Sequence, residues 1–160
     1  MNRVDFLPNK KVYKIIFSDE QGRYLDDQQI GVKEWAIQKD YSLTYLYEDG
    51  SKYIIILKKG FSYDGFSTDF GRVALVIQGK HTGAVVISAL HDADYSAHFS
   101  HSRAFADWAF LVGLDCFGGY CWFLRNIMWG GLRCLGGSVY PKTKRQIQDA
   151  RKYIEIHREG

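Results

Sequence analysis

The chain has 160 residues, of which 46% are hydrophobic and 24% charged, and its formal net charge is +3. That length supports one domain with a real hydrophobic core, and the composition is ordinary for a globular protein. The charge is too small, and Lys and Arg too scattered outside Lys10-Lys11 and Lys142-Thr143-Lys144-Arg145, to argue for nucleic acid as a partner.

Aromatic residues make up 16% of the chain (11 Tyr, 10 Phe and 4 Trp), which predicts an aromatic-rich core. Cys116, Cys121 and Cys134 include no CxxC pair, so they point to neither a disulfide framework nor a cysteine zinc site. Met1 to Pro8 lacks the apolar run of a secretory signal. The longest apolar stretch, Tyr120 to Leu135, is broken by Arg125, Asn126 and Arg133 and is shorter than the roughly 20 residues of a membrane span. A soluble, intracellular type of chain is expected.

Taken in order, residues 1–77 read as β-rich. Val12 to Phe17 is a predicted strand, with Gly22 in the turn region after it, and Lys33 to Ile37 is another. Tyr41 to Tyr47 and Lys52 to Leu57 are joined through Glu48-Asp49-Gly50-Ser51, a strong hairpin signal. Tyr41, Leu43, Tyr45 and Tyr47 alternate with Ser42, Thr44 and Leu46, as a strand with one wetter face would, whereas Ile54 to Leu57 reads as buried on both faces. Lys59 to Arg72 is a long irregular loop whose interleaved Phe and Tyr predict that it packs down. Val73 to Ile77 is short and apolar.

Residues 82–157 read as helical. Thr82 caps a predicted helix from Gly83 to about Tyr95, and Ser102 caps a second to about Leu114, before Gly118-Gly119. A third runs from Tyr120 to about Leu135. After Pro141 a polar helix is expected from Lys142 to about Ile156, with Ile147, Ala150 and Ile154 at helical spacing. Strands first and helices after predict an α+β fold, a small antiparallel sheet packed against a bundle of three to four helices in one domain.

The candidate site lies between the first two helices. His91, Asp92, Asp94 and Tyr95 end an apolar run, and Ser102, Arg103 and Asp107 open the next. Helices joined so briefly pack antiparallel, which lets His91 face Asp107. On a helix His91 shares a direction with Asp94 or Tyr95 but not with Asp92. Asp107 sits among apolar neighbours and needs Arg103, a histidine, a metal or backbone donors. Aspartates near a helix C-terminus oppose its dipole, so something must offset Asp92 and Asp94. Asp64 and Ser67 can add oxygen atoms from the loop, although Asp and Gly begin turns whatever the function. His98 and His101 are candidate extra ligands, His81 reads as a surface residue, and Arg125 and Arg133 either reach solvent or pair with buried acids.

The motifs resemble the small phage and prophage proteins grouped as domain-of-unknown-function family 1353. Its pattern is a G-F-x-x-D-G-A-S-x-P loop, a helix ending H-D-x-x-Y, a helix opening S-R-x-x-A-D, and a later M-Y-x-x-V-R-x-x-G segment. Here these are Gly60 to Asp69, His91 to Tyr95, Ser102 to Asp107 and Met128 to Gly136, with departures at Phe66, Asp69 and Trp129. The resemblance implies a phage or prophage gene, acting in the host cytoplasm or the virion, and no defined activity.

Three functions are compatible with these residues. One is an accessory or virion-associated protein that binds a phage or host protein, with the polar cluster as internal structure. Another is a hydrolase using His91, Asp92 and Asp107, in which His91 and Asp107 hold a divalent metal that activates water. The third is an inhibitor of a host defence protein.

Overall fold

A computed structural model describes residues 1–17, 26–32, 34–64, 82–100, 102–117, 121–138, 140 and 142–160. Gly22, Lys33, Phe66, Ser67, Asp69, the 73–77 segment, His81, His101, Gly118, Gly119, Tyr120 and Pro141 lie outside the described residues.

The described strands are β1 (Asn2–Val4), β2 (Val12–Phe17), β3 (Asp27–Gly31), β4 (Glu34–Ile37), β5 (Tyr41–Tyr47), β6 (Lys52–Leu57), β7 (Ser62–Tyr63) and β8 (Ile154–Glu159). The described helices are α1 (Thr82–Ala97), α2 (Arg103–Phe117), α3 (Trp122–Leu135) and α4 (Lys144–Arg151), with one 3-10 turn at Gly136–Ser138. A five-stranded sheet has the order β1-β8-β6-β5-β2, and a three-stranded sheet the order β3-β4-β7. All the pairings are antiparallel, so the α+β expectation holds. Among the described residues no helix is long and apolar enough to cross a membrane.

Two expectations need correction. The polar C-terminal helix ends at Arg151, and the chain returns as β8 between β1 and β6. Ile154 and Ile156 are buried while Glu155 and His157 are half-buried, a period of two that only a partner strand can use. Thr143 closes a capping box with Gln146 at the start of α4, which explains why this short helix forms at all. The second correction concerns β6: Ile55 and Leu57 are buried, but Ile54 and Ile56 are only half-buried. One face of this sheet carries the core.

The hairpin of β5 and β6 pairs in the register Tyr41↔Leu57 to Leu46↔Lys52. Its inner face presents Leu43, Tyr45, Tyr47, Ile55 and Leu57 to Val86, Ile87 and Leu90 of α1 and Phe105 and Phe110 of α2. From Val86 to Tyr95 every α1 residue but Asp92 is buried. A helix enclosed on nearly all sides carries its polar residues inward with the apolar ones. That single fact creates the site.

Candidate functional site

Asp107 is the centre, with 0% of its surface exposed. It lies on the buried side of α2, one turn in, while Ala104 and Trp108 take the exposed stripe. A carboxylate so placed must be compensated. Tyr95 donates its hydroxyl to Asp107 Oδ1 at 2.5 Å, and His91 Nε2 lies 3.1 Å from the same oxygen. Arg133, on α3, donates Nη1 to Oδ2 at 2.9 Å, and Arg103 Nε stands 3.6 Å from Oδ2. Three helices therefore meet on one carboxylate.

The network has a second layer of contacts. Arg103 Nε donates to the Tyr95 hydroxyl at 3.2 Å, and its Nη2 donates to the Arg133 carbonyl at 2.5 Å. The Tyr95 ring packs on His91, centroid to centroid 4.1 Å, as residues one helical turn apart do. Burial opposes ionisation of Asp107, yet the hydrogen bonds from His91, Tyr95 and Arg133 outweigh it and hold the carboxyl below the usual range. Burial likewise opposes charging of His91, but Asp107 and Asp92 overcome it and raise the imidazole above its ordinary value.

The other predicted residues divide between two places. Asp92 lies 3.9 Å from His91 Nδ1, on the side away from Asp107, so the imidazole stands between two carboxylates. Asp92 and Asp64 both line a cavity of about 420 Å³, together with Glu34, Tyr63, Tyr95 and Lys142. Asp94 is buried and lines the same small internal space as His91, but its hydrogen bond goes elsewhere. Its Oδ1 accepts the Ser100 N–H at 2.9 Å, while Oδ2 has no hydrogen-bond partner among the described residues. Burial pushes Asp94 up to about 6 against that hydrogen bond. Ser102 caps α2 as expected, accepting the Phe105 N–H at 3.2 Å. Ser67 lies outside the described residues.

The offset that the α1 C-terminus requires comes from Arg151, which the sequence reading passed over. Its guanidinium donates to the carbonyls of Ala97 and His98 at 2.9 and 3.2 Å, setting a positive charge at the negative end of the helix. No local pattern marks Arg151, because it acts across a separation of more than fifty residues. His98 adopts a positive φ of 49°, and its Nε2 lies 2.8 Å from the Tyr140 carbonyl, with the two rings stacked. Arg125 pairs with the exposed Asp115, and Arg133 with the buried Asp107.

Chemically, Asp107 is saturated. The four groups around it are hydrogen-bond donors or cations, and two are guanidinium groups, which repel a divalent ion. Among the described residues no group of three or more His, Cys, Asp or Glu is arranged to hold a metal. Asp92 differs, since it is partly exposed and reaches the cavity. Compared with protein-family models, curated proteins and solved structures, the chain matches none.

Proposed function

We propose that the chain is a phage or prophage accessory or virion-associated protein that acts by binding a phage or host protein rather than by catalysis. Asp107 carries the mechanistic part of this reading. It is wholly buried, both its oxygens are engaged by His91 and Tyr95 of α1 and Arg133 of α3, and Arg103 of α2 stands in ion-pair range. A carboxylate in that state holds helices in register, and a substrate or metal could reach it only by breaking the network. The phage part is supported by the order of four motifs, from the Gly60 loop through His91 to Tyr95 and Ser102 to Asp107 to the Arg133 segment.

The test is a paired one. The purified chain is mixed with its phage's virions and, separately, with host proteins, and stoichiometric complexes are identified by crosslinking and mass spectrometry. A defined complex that survives Asp92→Asn is expected, with no metal retained on elemental analysis. Metal-dependent turnover of a phosphoester or amide panel, lost in Asp92→Asn with the fold intact, would overturn the binding reading in favour of a hydrolase.

A further inference from the structure

Among the described elements α3 packs against α2, with Met128 buried. At its start Trp122 and Phe123 are 70% and 62% exposed. Successive helical residues lie about 100° apart, so Phe123, Ile127, Gly130 and Cys134 fall in one stripe about 60° wide, turned away from Met128. Their alternating spacing of four and three residues is that of a seam between two helices. Cys134 is exposed, Ile127 is half-buried, and a Cβ on Gly130 would meet nothing within 4 Å. No charge lies on the stripe, and the two arginines of α3, Arg125 and Arg133, are engaged by Asp115 and Asp107.

We propose that this stripe is the interface of a two-fold dimer, in which α3 of one protomer packs antiparallel to α3 of its partner. The order of residues suits a second copy of the same helix. In an antiparallel pair centred between Ile127 and Gly130, Phe123 lies over Cys134 of the partner subunit and Ile127 over Gly130 of the partner subunit. Each large side chain then meets a small one, and symmetry repeats both contacts. A parallel pair would instead set Phe123 on Phe123 and Gly130 on Gly130, a clash beside a void. Antiparallel helices also place opposite ends of their dipoles together. An aromatic side chain buries about 150–250 Å², so Trp122 and Phe123 at their exposures hold about 250 Å² per protomer in water. Two such pairs and the stripe between them amount to about 1,000 Å², the lower end for a specific interface. A dimer in the micromolar range follows from that area.

The measurement is sedimentation velocity of the purified chain in reductant, from about 1 to about 300 µM. A concentration-dependent shift from monomer to dimer is expected. Phe123→Asp, at an exposed position, should weaken dimerisation about thirtyfold or more. Gly130→Leu has room at its Cβ in the monomer but meets Ile127 of the partner subunit, so it should abolish the dimer while the thermal midpoint of the dilute monomer holds. Direction is read by Phe123→Cys combined with Cys116→Ser and Cys121→Ser. A mild thiol oxidant, taking two electrons per disulfide, should join position 123 to Cys134 of the partner subunit. A link between the two 123 positions, or no link, overturns the antiparallel pairing. A dimer that Gly130→Leu leaves intact overturns the stripe as its interface. A chain that stays monomeric up to about 300 µM overturns the dimer and leaves the stripe to a partner of another kind.

Discussion

Arg133 of α3 donates to Asp107 of α2 at 2.9 Å, and its own carbonyl accepts from Arg103 at 2.5 Å. Side chain and backbone of one residue thus close a loop around the buried carboxylate. The third helix is fastened by charge as well as by Met128, which is buried in the core.

Removing the carboxylate should therefore be costly. Asp107→Ala leaves His91, Tyr95 and two arginines facing an empty site, and a loss of ~3–5 kcal/mol is expected from chemical denaturation. Asp107→Asn keeps the shape and part of the hydrogen bonding, so its loss is smaller. Equal losses in the two variants would mean that packing, not charge pairing, dominates.

Tyr95→Phe tests one strand of the network. The ring keeps its contacts with His91 and Tyr140, but the hydroxyl between Asp107 and Arg103 is gone. A stability loss of about 1–3 kcal/mol is expected, since one donor to a buried charge disappears. An unchanged denaturation midpoint would show that the Tyr95 hydroxyl contributes nothing.

The pH profile of thermal stability should fall at both ends. Asp107 is held below its ordinary 3.8, so its contribution is present above that value and lost as the pH drops through the folded pKa. His91 is raised above 6.5, so its contribution is present below that value and lost as the pH rises through the folded pKa. In Asp107→Asn the acid limb should flatten, and the alkaline limb should move to lower pH. Differential scanning calorimetry across the range reads both.

Asp94 has the opposite sign. Its folded pKa is raised from 3.8 to about 6, so its ionisation takes stability away as the pH climbs between those values. Asp94→Asn keeps an acceptor for the Ser100 N–H without a buried charge. It should stabilise the protein by on the order of 1 kcal/mol at about pH 7.5 and have little effect at about pH 4. Destabilisation at both pH values would refute this account of Asp94.

Gly113 marks a close approach of α2 to α1. A Cβ there would lie 2.6 to 2.8 Å from three atoms of the Ile87 side chain. Gly113→Ala should cost ~1–3 kcal/mol by overpacking, although alanine is the better helix former by about 1 kcal/mol. Adding Ile87→Ala should recover part of that loss, read as a double-mutant cycle in denaturant.

The hairpin, the cap at Ser102, and the grouping of His91, Asp107 and Arg103 are short-range matters. Alternation in Tyr41 to Tyr47, an Asp-Gly turn and one helical turn between Arg103 and Asp107 make them legible from the amino-acid sequence. The tertiary structure decided what depends on distant partners. Ile154 and Ile156 became a strand because β1 and β6 left a place between them, overriding a helical spacing that local pattern favoured. Asp94 bonds to Ser100 and His91 to Asp107 because α1 is enclosed on several sides, so neighbours in sequence take different partners in space. Arg133 and Arg151 reached their targets across 26 and more than fifty residues. A buried charge finds its compensation wherever the packing brings a donor, and sequence spacing carries no record of that.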